Sequence, residues 1–164
     1  LWAGIAAGEI DTLATDHCPF FYSADKVLGR NDFSRIPGGV PGIETRLMLL
    51  YQFGVRTGRI AAERWVRLCC TEPARRFGLA HQKGTLAIGA DADVVVWDPE
   101  RRVTLSHRTL HQNVDYTPYE GIEVLGCPVT VLSRGQAVVS EGKLVGAPGQ
   151  GRFQPTAGCL SLGG

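Results

Sequence analysis

The densest cluster of groups able to do chemistry in this sequence is Thr15-Asp16-His17-Cys18. A strand ending there would point Asp16 and His17 out of its C-terminal end, where α/β barrels place metal ligands and general bases. A carboxylate oxygen in that position suits zinc or manganese. The competing reading is a surface turn, since Asp and His commonly end strands. His107 and His111 stand four apart and on a helix would share a face. The spacing can hold zinc, but the metalloprotease motif needs Glu after the first His, and Arg108 follows here. A solvated or hydrogen-bonded pair is the expectation, with His81 as ordinary surface. Gly38, Gly39 and Gly42 match neither a dinucleotide fingerprint nor a Walker motif. They read either as a tight turn into a helix or as backbone that comes close to a ligand. Asp91 and Asp93 read as a turn feeding a strand. No Gly-x-Ser-x-Gly occurs, so no nucleophilic serine is indicated.

These groups must be held by elements that the pattern partly predicts. Residues 9–16 form a short apolar run between Gly8 and Pro19, which predicts a buried strand. Residues 20–39 are irregular and read as a long loop, the kind of segment that often carries function. Pro41 is expected to open a helix, with Ile43, Leu47, Leu50 and Tyr51 at helical spacing. A second helix is predicted over 61–70 and a third, short one from Glu72-Pro73 to Gly78. From Lys83 the character changes to short strands and turns. A strand is expected over 94–97, stopped by Asp98-Pro99, and an irregular stretch over 106–126. Residues 129–132 and 136–140 alternate around Arg134-Gly135, a hairpin signal, and 143–145 can pair again. The Gly- and Pro-rich tail from Pro148 is expected to be weakly structured.

Composition narrows the function classes. The chain has 164 residues, 44% hydrophobic and 20% charged, which suits a globular core and excludes disorder. Seventeen basic side chains nearly cancel sixteen acidic ones, so no polyanion footprint favours nucleic acid. No apolar run reaches the ~18 residues of a membrane span. Five cysteines, an odd count without a CxxC spacing, read as free thiols in a reducing compartment, the cytoplasm, rather than as a secreted disulfide scaffold. The chain opens on Leu1, and its one methionine, Met48, lies inside a helical pattern. The expectation is that its front was processed away or that it is a piece of a longer protein. A lone strand in the first half points the same way, since one strand makes no sheet.

Several strings resemble the cyclic amidohydrolases in the same order. L-W-A-G-I-A-A-G-E-I-D-T-L-A-T-D-H-C-P-F resembles their last barrel strand, and T-D-H-C-P-F is similar to the dihydropyrimidinase and hydantoinase branch. R-I-P-G-G-V-P-G-I-E-T-R-L resembles the substrate loop and following helix of that branch. T-E-P-A-R-R-F-G-L, K-G-T-L-A-I-G-A-D-A-D-V-V-V-W-D-P and V-D-Y-T-P-Y-E-G-I-E-V-L-G follow in the family's order. The resemblance reaches to about Phe153.

The resemblance implies an α/β fold: the C-terminal part of a metal-dependent (β/α)8 barrel plus the C-terminal share of a small β-sandwich. Residues 1–82 would be the last strand and closing helices, 83–153 the sandwich portion, and 154–164 a flexible tail. It implies two metal ions, usually zinc, held by an H-x-H pair, a carboxylated lysine, two further histidines and one aspartate. Only the aspartate falls in this chain, as Asp16. The two metals would acidify a bridging water and polarise the ring carbonyl, and Asp16 would pass the proton to the leaving ring nitrogen. The reaction would open a hydantoin or dihydropyrimidine to an N-carbamoyl amino acid. Gly38 stands where the family often has Asn, whose backbone N–H and C=O bind the substrate amide, and a glycine keeps both groups. His17 would orient the strand end, and Cys18 would line the pocket floor. A homotetramer or other homo-oligomer is implied, with no nucleic-acid or membrane partner. Alternatives are allantoinase or dihydroorotase activity, and a non-catalytic oligomeric scaffold of the same fold. On its own the 164-residue chain is expected to be inactive.

Overall fold

The computed structural model describes residues 1–157. Helices fill the first half: α1 (Trp2–Ala7), α2 (Arg46–Leu50), α3 (Ala62–Val66) and α4 (Glu72–Arg76). Two wide π-turns, Tyr51–Val55 and Arg67–Thr71, continue α2 and link α3 to α4. The second half is an antiparallel sheet of β1 (Val94–Thr104), β2 (Glu123–Ser133), β3 (Gln136–Ser140) and β4 (Lys143–Leu144), in the order β1-β2-β3-β4.

Two apolar clusters hold the chain together. Ile5, Ile60 and Leu68 form one, with Trp2, Leu13 and Trp65 packed against it. Met48, Leu105, Val124 and Cys127 form the other, which joins α2 to the sheet. Between the halves, Tyr51 lies 5.2 Å from both Trp65 and Trp97, ring centre to ring centre. Gly126 permits this: its φ is +97°, and a Cβ there would lie 2.5 Å from the Tyr51 ring. The Gln52 side chain adds a polar tie by accepting from the Leu125 N–H at 2.9 Å.

The hairpin around Arg134-Gly135 forms as its turn residues predict, and 143–144 pairs with β3. Other elements differ from the sequence pattern. Residues 9–16 carry no regular secondary structure, and just after them His17 makes a single parallel bridge to Val40. A strand exists through its neighbours' hydrogen bonds, and among the described residues none lies alongside. Asp16, at φ 46°, also breaks the extended path. The string at the front begins instead with α1. The helix expected from Pro41 starts at Arg46, after a turn closed by Thr45 N–H on Gly42 O at 3.3 Å.

The second and third predicted helices are one continuous coil from Ala62 to Arg76. Pro73 has no N–H for the Cys69 carbonyl four residues back, and its ring crowds that oxygen. The wide turn over Arg67–Thr71 accommodates both. Asp98-Pro99 does not stop β1, which runs on to Thr104 with a register shift between Asp98 and Arg102. Asp98 Oδ1 accepts from the N–H groups of Glu100 and Arg101, so the bulge is internally satisfied. Among the described residues β1 is an edge strand, where proline is tolerated. β2 begins at Glu123, inside the stretch expected to be irregular. At the tail, residues 151–157 lack regular structure, but the Ala157 N–H donates to Gly78 O at 2.9 Å. The rest of the expected flexible tail, and Cys159, lie outside the described residues.

Candidate functional site

Asp16 is exposed, and its backbone is in the left-handed region at φ 46°. A non-glycine residue there is uncommon and costs energy, which other contacts must hold in place. Those contacts come from the residue after it. His17 Nδ1 accepts from the N–H of Gly42 at 3.0 Å and of Ile43 at 3.2 Å. An accepting Nδ1 carries no proton, so the neutral ring has its proton on Nε2. The Cys18 N–H donates to Val40 O at 3.3 Å, and Arg46 reaches back to Leu13 O at 2.6 Å. Residues 13–18 are thus lashed to 40–46 from both sides. Among the described residues the Asp16 carboxylate itself makes no hydrogen bond or ion pair, and is free to bind something else.

The glycine loop lies against the same segment. Gly39 has φ +118°, and a Cβ on it would sit 2.5 Å from Cys18 O and 2.6 Å from Cys18 Cβ. Only glycine fits over Cys18. Gly38, by contrast, is exposed with open space where its Cβ would go. Its N–H and C=O have no hydrogen-bond partner among the described residues. Lys26 Nζ donates to the carbonyls of Pro37 and, at 2.6 Å, Gly39. Its ammonium also lies 5.2 Å from the centre of the Phe20 ring. The outer part of the loop is held from the other half of the chain. Asp115 accepts from the N–H of Tyr22 at 2.6 Å and of Ser23 at 3.0 Å. The Ser23 hydroxyl and then these N–H groups hold the Asp115 carboxyl below its ordinary range. The Tyr22 and Tyr116 rings meet at 5.7 Å.

The other candidates fall elsewhere. His107 and His111 do not converge: His107 Nδ1 pairs with Glu120 at 3.0 Å and His111 Nδ1 with Glu44 at 2.8 Å. Ser106 Oγ and the His107 N–H also donate to Glu120. The Ser106 hydroxyl first, then His107, bring its carboxyl down to about 2. Asp91 and Asp93 clasp Lys83 at 2.7 and 2.5 Å ahead of β1. Cys69 and Cys70 are not poised as nucleophiles. Burial raises both thiols, Cys69 to about 11. Among the described residues no three His, Cys, Asp or Glu side chains converge on a possible metal position. The sequence pattern missed Lys26 and Asp115. A cation ahead of a glycine loop is a weak signal for the first, and nothing local marks the second.

Residues 1–138 match the model of the Amidohydrolase family. The chain belongs to the amidohydrolase family. Among curated members it is 50% identical over 162 residues to a D-hydantoinase of Streptomyces coelicolor, covering 99% of this chain and 34% of that one. Among solved members, a D-hydantoinase from Bacillus sp. AR9 superposes with a TM-score of 0.94 at 46% identity, over 96% of this chain and 34% of that one. A dihydropyrimidinase from Brevibacillus agri gives 0.93 at 45%, over 95% and 34%. The chain therefore carries part of the amidohydrolase fold, and it spans about a third of the length of these relatives.

Proposed function

We propose that the intact protein opens the ring of a hydantoin or dihydropyrimidine by hydrolysing its cyclic amide bond, giving an N-carbamoyl amino acid. In this reading Asp16 is both a metal ligand and the proton carrier, and the Gly38 peptide groups bind the substrate amide. One observation carries it. An unpartnered carboxylate, held at a strained backbone position, and an unpartnered glycine peptide lie on two segments that are bonded to each other. Functional sites are where such strain is maintained.

A carboxylate oxygen suits a zinc ion, so Asp16 fits the expected group as one ligand. The remaining ligands would come from the part of the relatives' length that this chain does not span. Two bound metal ions, zinc in this reading, supply Lewis acidity toward the ring carbonyl and a more acidic water. Asp16 takes the proton released as water adds to the amide carbon. It returns that proton to the ring nitrogen as the C–N bond breaks, so it ends in the state in which it began. His17 keeps the Asp16 backbone in place through Gly42 and Ile43. Within the intact protein, residues 1–82 would close the barrel and 83–153 would add to a β-sandwich. A homo-oligomer in the cytoplasm completes the proposal. Support for a reducing compartment comes from the cysteines among the described residues, all unpaired.

The test is Asp16→Asn in the intact protein, assayed on hydantoin, dihydrouracil, allantoin and dihydroorotate. Loss of ring opening with the fold retained is expected. Undiminished turnover would sink the assignment of Asp16, and preference for allantoin or dihydroorotate would move the substrate class.

A further inference from the structure

We infer that Lys26 is a positioning residue which, by gripping the carbonyls on both sides of Gly38, aims the Gly38 peptide groups at the substrate amide. The inference rests on the proposed role of Gly38. It follows from the geometry of the loop. Lys26 Nζ donates to Pro37 O and Gly39 O, which belong to the peptide units before Gly38 and after Gly39. The peptide unit is planar, and among the described residues no peptide bond is cis. Fixing Pro37 O therefore fixes the Gly38 N–H, which points the opposite way, off the face that Lys26 does not occupy. Fixing Gly39 O bounds the far side. The unit between, carrying Gly38 C=O, is bracketed at both ends.

Nothing else on the loop does this for Gly38. Among the described residues it has no neighbour within 4 Å of its Cβ position. Two consecutive glycines without a clamp sample many backbone states, and ordering them on binding opposes affinity. An ammonium suits the task because it has three donors and needs only acceptors. The Phe20 ring, 5.2 Å from Nζ, and the partly buried Lys26 stem keep the donor in place. Gly39 is seated on Cys18 at one end of the clamp. The clamp thus sets Gly38 relative to the segment that carries Asp16.

The test uses Lys26→Met in the intact, metal-loaded protein. Methionine keeps the apolar stem and loses the donors. With hydantoin or dihydrouracil, KM should rise about 10-fold or more while kcat stays within about 3-fold, because a contact made before the chemical step is lost. Amide exchange at Ile36 and Cys18, whose N–H groups are bonded to Phe33 O and Val40 O at the two ends of the glycine loop, should speed up by a similar factor, and Lys26→Arg should restore most of both. A general loss of structure would not give that split or that rescue. Unchanged KM with unchanged exchange overturns the inference. Faster exchange with unchanged KM also overturns it, leaving a clamp irrelevant to substrate. If the wild-type protein opens no cyclic amide, the role of Gly38 fails with the functional reading, and exchange alone shows whether the clamp exists. Should Lys26→Met fail to fold, Lys26→Gln, which can hold one carbonyl, is expected to show the same KM rise, and its absence counts equally against the inference.

Discussion

Alanine placed at two adjacent glycines should have opposite consequences. At Gly39 the backbone has φ +118°, where a Cβ is strained, and the added atom would lie 2.5 Å from a carbonyl oxygen and 2.6 Å from a carbon of Cys18. Strain of this type costs roughly 1–3 kcal/mol, and forced overpacking about as much again. Against this, alanine lowers the entropy of the unfolded chain by about 0.4–1 kcal/mol. The net is a local destabilisation of about 1–5 kcal/mol, centred near 3. At Gly38 there is no positive φ and, among the described residues, no atom within 4 Å, so only the entropic gain remains. The assay is hydrogen exchange at the Cys18 amide, whose N–H bonds to Val40 O. A 2 kcal/mol loss makes local opening about 30-fold more frequent. Gly39→Ala should therefore speed exchange at Cys18 by about that factor or more, while Gly38→Ala leaves it near wild type. Equal exchange in the two variants would refute the placement of Gly39 over Cys18.

Other expectations follow from the same contacts. His17→Ala removes the acceptor for two N–H groups, one of them on buried Gly42, and should cost about 1–3 kcal/mol, read as a lower urea midpoint. Glu120, held near 2 when folded, sits below its unfolded value, so its contribution is present above the ordinary carboxylate range and fades as pH falls through about 2. Wild type and Glu120→Gln should differ in stability at neutral pH and converge toward pH 2. A constant gap across that range would contradict the cluster with Ser106 and His107. Cys69, raised to about 11 by burial, should resist iodoacetamide at pH 8 until the protein is unfolded, and rapid labelling in the native state would count against its packing. Lys83→Met breaks both carboxylate pairs ahead of β1 and should lower the urea midpoint by the equivalent of about 1 kcal/mol.

What the sequence made legible was local chemistry. Arg134-Gly135 dictates a hairpin through turn geometry alone, and the hairpin forms. His107 with Arg108 after it argued against a metal motif, and the two histidines indeed face different carboxylates. Failures came where a distant partner decides the outcome. Residues 9–16 have strand-like spacing, but spacing cannot supply a neighbouring strand. Asp98-Pro99 reads as a stop, yet at a sheet edge the missing N–H faces no partner and the side chain of Asp98 closes the bulge. Lys26 and Asp115 were invisible for the same reason. One grips carbonyls 11 and 13 residues away, and the other caps N–H groups more than 90 residues distant.

The contact between Trp65 and Trp97 joins the helical half to the sheet, with ring centres 4.9 Å apart at 67°. Two indoles at that separation and tilt are electronically coupled chromophores, so their absorption bands split into an exciton pair with a circular dichroism couplet. The signal depends on distance and mutual angle and vanishes when either ring turns away. The protein thus carries an optical gauge of how its helices seat on its sheet. Far-ultraviolet dichroism can follow that seating through unfolding, assembly or ligand binding without an added label, and Trp97→Phe would serve as the blank.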